Sequence, residues 1–135
     1  MSAEAGLLGD FLAGTVEPRS FGHREHLAVA FEMLRRHDFP AAAQRYCEGV
    51  RALAARAGHP EVFNVTMTIA FLALVAERMD ARAGEDFESF TARHPELFDR
   101  SLLERWYPQE QLRSELARRT FVLPAAPVAR VPTGR

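Results

Sequence analysis

The sequence predicts an all-α protein: one compact single-domain bundle of four to six helices over residues 1–123, with a flexible C-terminal tail over 124–135. Three observations predict it. Strand signals are almost missing, because β-branched residues are sparse and no Asn-Gly or Asp-Gly hairpin turn occurs. Gly, Pro and capping residues recur at intervals that suit helices of one to five turns. The chain has 135 residues and is 47% hydrophobic and 26% charged, enough for an ordinary core without disulfide or metal staples.

The elements follow in order. A first helix, Ala3 to Ala13, puts Leu7, Leu8, Phe11 and Leu12 on one side, and Gly14 and Pro18 break it. Ser20 is a suitable N-cap for a second helix from His23 to His37. Phe39-Pro40 opens a third, which stops at Gly58. Pro60 opens a fourth over Glu61 to Met79, apolar nearly all round and therefore expected at the centre of the bundle. Shorter helices are expected over Glu85 to Arg93, Pro95 to Trp106 and Pro108 to Thr120. From Pro124 the Pro- and Ala-rich residues have little to bury.

Composition excludes several chemistries. The formal net charge of −1 argues against nucleic acid, which selects a basic surplus. All 17 basic residues are arginine, so Schiff-base, P-loop and lysine-base mechanisms are out. There is no GxSxG, GxGxxG, HExxH or CxxC. The N-terminus lacks the pattern of a signal peptide, and the longest apolar stretch, Val65 to Ala76, is too short to span a bilayer. With a lone cysteine, Cys47, the expectation is a cytoplasmic protein with no membrane partner.

The polar residues that solvent does not explain lie on the second and fourth helices. Leu27, Ala30, Phe31, Met33 and Leu34 form the apolar arc of the second, and His23 and His26 fall inside it at i and i+3. On the fourth, Asn64 and Thr68 share a stripe with Phe71 and Val75. If the two helices pack together, His23, His26, Asn64 and Thr68 line one polar pocket. Two imidazoles that titrate near neutral pH can divide the roles of general acid and base. In the competing structural reading the histidines bond to backbone carbonyls and Thr68 bonds back along its own helix. Tyr107 and Arg118, in an aromatic and arginine-rich stretch with Trp106, are further candidates for holding substrate.

A metal is the second reading. His23 and His26 at i and i+3 can share a divalent transition ion, with a third ligand from His59, His94, Glu25 or Glu77, though none of these has a diagnostic spacing. Phe87, Phe90 and Phe98 are apolar enough to serve either a core or a homodimer interface.

The stretch Phe21-Gly-His-Arg-Glu-His-Leu resembles the His-x-x-His-Leu opening of a group of small, largely uncharacterised bacterial helical proteins. Phe63-Asn-Val-Thr-Met-Thr is similar to that group's Tyr-His-Glu-Thr-x-Thr segment. Tyr107, Leu112, Ser114, Ala117 and Arg118 match its closing Tyr-x-x-x-x-Leu-x-Ser-x-x-Ala-Arg pattern. The resemblance implies a compact helical fold with the histidine pair near the middle segment. Asn64 and Val65 stand where that group has a histidine and a glutamate, which lowers the metal reading here.

The functional expectation is a small enzyme that needs no cofactor. It would use His23 and His26 for acid/base chemistry on a small metabolite: isomerisation, elimination, cyclisation or ring-opening. Asn64, Thr68, Tyr107 and Arg118 would position the substrate, and a tailoring step in secondary metabolism would suit such a domain. The alternatives are a metal-binding protein using the two histidines, and a non-catalytic module that binds or sequesters a small molecule.

Overall fold

The computed structural model describes residues 2–79 and 84–125, and among them every regular element is helical. Helix α1 spans Ala3–Ala13, α2 His23–Arg36, α3 Phe39–Arg56, α4 Val65–Met79 and α5 Phe87–Arg93. Two short helices follow, α6 at Gln109–Leu112 and α7 at Glu115–Arg119. Single 3-10 turns occupy Pro18–Ser20, Pro60–Val62, Pro95–Phe98 and Leu102–Arg105. No helix of the described residues is long and apolar enough to cross a membrane.

Local chemistry sets the helix ends. Ser2, Asp38, Asp86 and Ser114 each accept a backbone N–H from inside the first turn of α1, α3, α5 and α7. Gly14 ends α1 in the left-handed conformation at φ 74°, which glycine adopts without penalty. The start of α2 departs from expectation. Ser20 belongs to the preceding 3-10 turn, and Gly22 takes the cap position. The Gly22 N–H donates to the Glu25 carboxylate at 2.8 Å, which closes the first turn from inside the helix.

The centre of the bundle is α2, not α4. Leu27 to Met33 are buried without interruption, because α1, α3, α4 and the 95–98 turn all pack around α2. Helix α4 buries Thr66, Thr68, Leu72, Leu74 and Val75 but leaves Met67 exposed. Its all-round apolarity is therefore divided between core and a cleft wall. Phe31, Phe87 and Phe90 form one aromatic group of tilted rings at the core, with the Phe87 and Phe90 centroids 5.5 and 4.9 Å from Phe31, while Phe98 is exposed.

The C-terminal third is more broken than its periodicity suggests. Pro95 to Trp106 forms two 3-10 turns joined at Asp99 to Ser101, where Asp99 Oδ1 accepts the N–H and the hydroxyl of Ser101. Pro108 to Thr120 splits at Ser114, whose hydroxyl donates to the Gln111 carbonyl and caps α7. Of the expected tail, residues 126–135 lie outside the described ones. Pro124 and Ala125 are described, and the Ala125 N–H donates to Gln111 Oε1 at 2.9 Å.

Candidate functional site

A cleft of about 670 Å³ opens between the N-terminal turn of α2, the middle of α3, the start of α4 and residues 99–103. That volume falls in the range of sites for small organic molecules. Four of the six residues singled out from the sequence line it: His23, His26, Asn64 and Thr68. The packing that unites them is the contact of α2 with α4.

His23 is the first residue of α2, and its Nε2 lies 2.8 Å from the carbonyl oxygen of Leu97. A carbonyl only accepts, so Nε2 carries the proton and the neutral ring keeps its lone pair at Nδ1. The ring lies against Phe71, with centroids 5.4 Å apart. His26, one turn on, packs edge-on against Phe21 at 4.8 Å. No hydrogen bond to its ring is formed among the described residues. Burial first, then the charge of His23, hold the His26 imidazole down to about 4, with Glu25 pulling the other way and Arg100 adding to the depression. The ring is neutral at physiological pH. Beneath it Tyr46, buried on α3, donates its hydroxyl to the His26 carbonyl at 3.3 Å, and burial pushes that phenol well above its ordinary value.

Asn64 and Thr68 are committed in part to structure. Asn64 Oδ1 accepts the Met67 N–H and caps α4, while its Nδ2 donates to the Leu112 carbonyl at 2.8 Å. Thr68 Oγ1 donates to the Asn64 carbonyl at 2.7 Å, the back-bonding expected of a threonine inside a helix. Each keeps some hydrogen-bonding capacity: the second Nδ2 hydrogen of Asn64 and the lone pairs of Thr68 Oγ1.

Tyr107 and Arg118 do not belong to this cleft. Tyr107 is buried and donates its hydroxyl to the Val122 carbonyl at 2.8 Å. Arg118 pairs with Glu115 at 2.7 Å and reaches the Glu61 carbonyl at 3.3 Å. Both hold the C-terminal stretch against the helices. They read as site residues because aromatics and arginines that clamp a chain and those that clamp a ligand share one composition.

Two charged lining residues went unread in the sequence, Asp99 and Arg100. They sit in a stretch read as helix, where exposed charges signify only a solvated face. The available signal was Asp99-Arg100-Ser101, a pattern in which an aspartate closes a turn on the serine two residues on. The two hydrogen bonds from Ser101 hold the Asp99 carboxyl below the usual carboxylate range, with the Arg105 and His23 charges helping.

The possible third metal ligands are dispersed. His59 faces Glu61 at 3.4 Å and His94 faces Glu96 at 3.5 Å, while Glu25 caps α2. Among the described residues no group of three or more His, Cys, Asp or Glu side chains is arranged to hold a metal ion. Cys47, half-buried on α3, has its thiol pushed up by burial, which leaves it a poor nucleophile.

Compared with protein-family models, curated proteins and solved structures, the chain matches none of them.

Proposed function

We propose that this protein binds a small organic molecule in the α2–α4 cleft and that His23 exchanges a proton with it. The observation that carries the reading is the convergence of both histidines on a mainly apolar void from one helix turn. The Leu97 carbonyl supports it further by fixing the His23 tautomer, which leaves Nδ1 as the basic atom. His26, neutral and with no hydrogen bond to its ring among the described residues, serves as a polar contact for the ligand and not as the base. The reaction class is proton transfer of the isomerisation or elimination type, in a cytoplasmic setting that suits a half-buried, unpaired Cys47. No step in it calls for a metal, since the His23 Nε2 is occupied by a carbonyl and Asn64 caps a helix.

Binding without turnover is the second reading. It is favoured by the internal hydrogen bonds of Asn64 and Thr68, which leave few polar groups free to orient a reacting substrate.

Labelled protein titrated with mixtures of small organic acids, amides and alcohols tests both. The expected result is joint perturbation of the His23, His26 and Phe71 resonances by the same compounds. Any compound that is also turned over should lose turnover but keep binding in His23→Gln. Hits that leave those three resonances untouched would sink the cleft as the site. Unchanged turnover in His23→Gln would remove His23 from the chemistry.

A further inference from the structure

The cleft wall also specifies what kind of molecule fits, an inference that rests on the cleft being a small-molecule site. Most of the wall is apolar, with Phe21 ahead of α2, Phe63 ahead of α4, and Met67 and Phe71 on α4. Among the described residues that line it, Arg100 is the only permanent cation and Asp99 the only carboxylate. These neighbours do not neutralise each other. Asp99 is held by Ser101 and feels the charges of Arg105 and His23, whereas the charge of Arg100 is felt at His26. Among the described residues no carboxylate lies within ion-pair distance of Arg100. Arg24, Arg35, Arg36, Arg78, Arg93 and Arg118 each have one, and Arg100 shares its lack with several other described arginines, such as Arg105 and Arg113; what sets Arg100 apart is that it lines the cleft.

We propose that the ligand is an amphipathic carboxylic acid, with its apolar body on Phe21, Phe63, Met67 and Phe71 and its carboxylate on the Arg100 guanidinium beside the His26 ring. A guanidinium presents parallel N–H donors that match a carboxylate, and charge-assisted bonds of this kind are about twice as strong as neutral ones. A carboxylate placed there supplies the counter-charge that Arg100 lacks. The apolar body meanwhile displaces water from three aromatic rings.

The probes are 6-phenylhexanoate and 2-naphthoate, each compared with its primary amide, by calorimetry and histidine-detected NMR at pH 7 and low salt. The full-length protein is used, with Arg100→Gln as the variant; Arg100 is exposed, so the fold does not depend on it. The expected result is that at least one acid binds about tenfold more tightly than its amide, a preference that shrinks as salt screens the pair. In Arg100→Gln the acid should fall to the level of the amide while the amide is unchanged. Equal binding of acid and amide, or a preference that survives Arg100→Gln, overturns the carboxylate assignment and leaves the cleft standing. No binding of any of the four compounds, with no change at His23 or His26, overturns the cleft as their site as well.

Discussion

His26 shows what a residue acquires by being placed one turn inside a helix that other helices surround. A histidine near a helix N-terminus is unremarkable in sequence, and its apolar spacing marks it only as inward-facing. The cleft adds the burial, the His23 neighbour and the Arg100 charge that bring its pKa to about 4. The unfolded value is near 6.5, so between these pH values the unfolded chain binds a proton that the folded chain does not. Stability at this position is therefore fully present above pH 6.5 and is lost as pH falls through the window, by about 3 kcal/mol by pH 4. In urea unfolding, wild type should lose about 2 to 3 kcal/mol more than His26→Gln between pH 7.5 and 4.5. A His26 ring that titrates near 6.5 by NMR would contradict this account. The same residue bounds what could be read from sequence: its inward direction was legible in i, i+3 spacing, whereas its charge state depends first on how deeply the packed helices bury it, then on His23, and only last on Arg100, 74 positions later in a turn that periodicity does not register.

Among the elements, α1 and α3 were legible because each carries a strong signal at an end, Gly14 for α1 and Phe39-Pro40 with Gly58 for α3, and α2 because of its apolar arc. The expected start of the fourth helix was wrong, since Pro60 opens a separate 3-10 turn and α4 begins only at Val65, capped by Asn64. Stretches 95–106 and 108–120 were not legible, since 3-10 turns and single-turn helices share the apolar spacing of one longer helix. The central role of α2 was hidden for another reason. Its polar residues lowered its apparent hydrophobicity, yet Glu32 is buried through its ion pair with Arg36 at 2.9 Å. How closely elements approach is likewise a tertiary property, and Gly49 is the clearest case. A Cβ built there would lie 2.2 Å from two ring carbons of Phe11, which is itself fixed between Phe21 and Tyr46. Alanine would raise helix propensity by up to about 1 kcal/mol, but the buried ring, flanked by Phe21 and Tyr46, would have to shift to admit it. Gly49→Ala should therefore lower stability by about 1 to 2 kcal/mol net in denaturant unfolding. Phe11→Leu in the same background should lessen the effect of the added methyl. A neutral or stabilising Gly49→Ala would mean that α1 is free to shift away from α3.

At the scale of the whole molecule, the C-terminal segment holds the cleft wall from behind. Thr66, fully buried on α4, donates its hydroxyl to the Thr120 carbonyl at 2.8 Å and accepts the Val122 N–H at 3.1 Å. Tyr107 and Gln111 bind the carbonyls of Val122 and Leu123, and Asn64 reaches across to Leu112. The first turn of α4, which presents Asn64, Met67 and Thr68 to the cleft, is thus tied to residues 112–122 by contacts about fifty positions apart in sequence. One hydroxyl makes two of these bonds, so its removal tests the arrangement directly. Thr66→Val keeps the side-chain shape and leaves both backbone partners without it, a loss of about 1 to 2 kcal/mol given that water can reach the strap. The Val122 amide should exchange with solvent faster, while the His26 resonance stays where it is because its ring packs on Phe21 and not on α4. Thr66→Ser restores both hydrogen bonds and should restore Val122 protection, at the expense of a small void where the methyl was. Val122 protection that is the same in Thr66→Val as in wild type would show that the strap is held by Tyr107 and Gln111 alone, and α4 would then have to owe its position to α2 and α3.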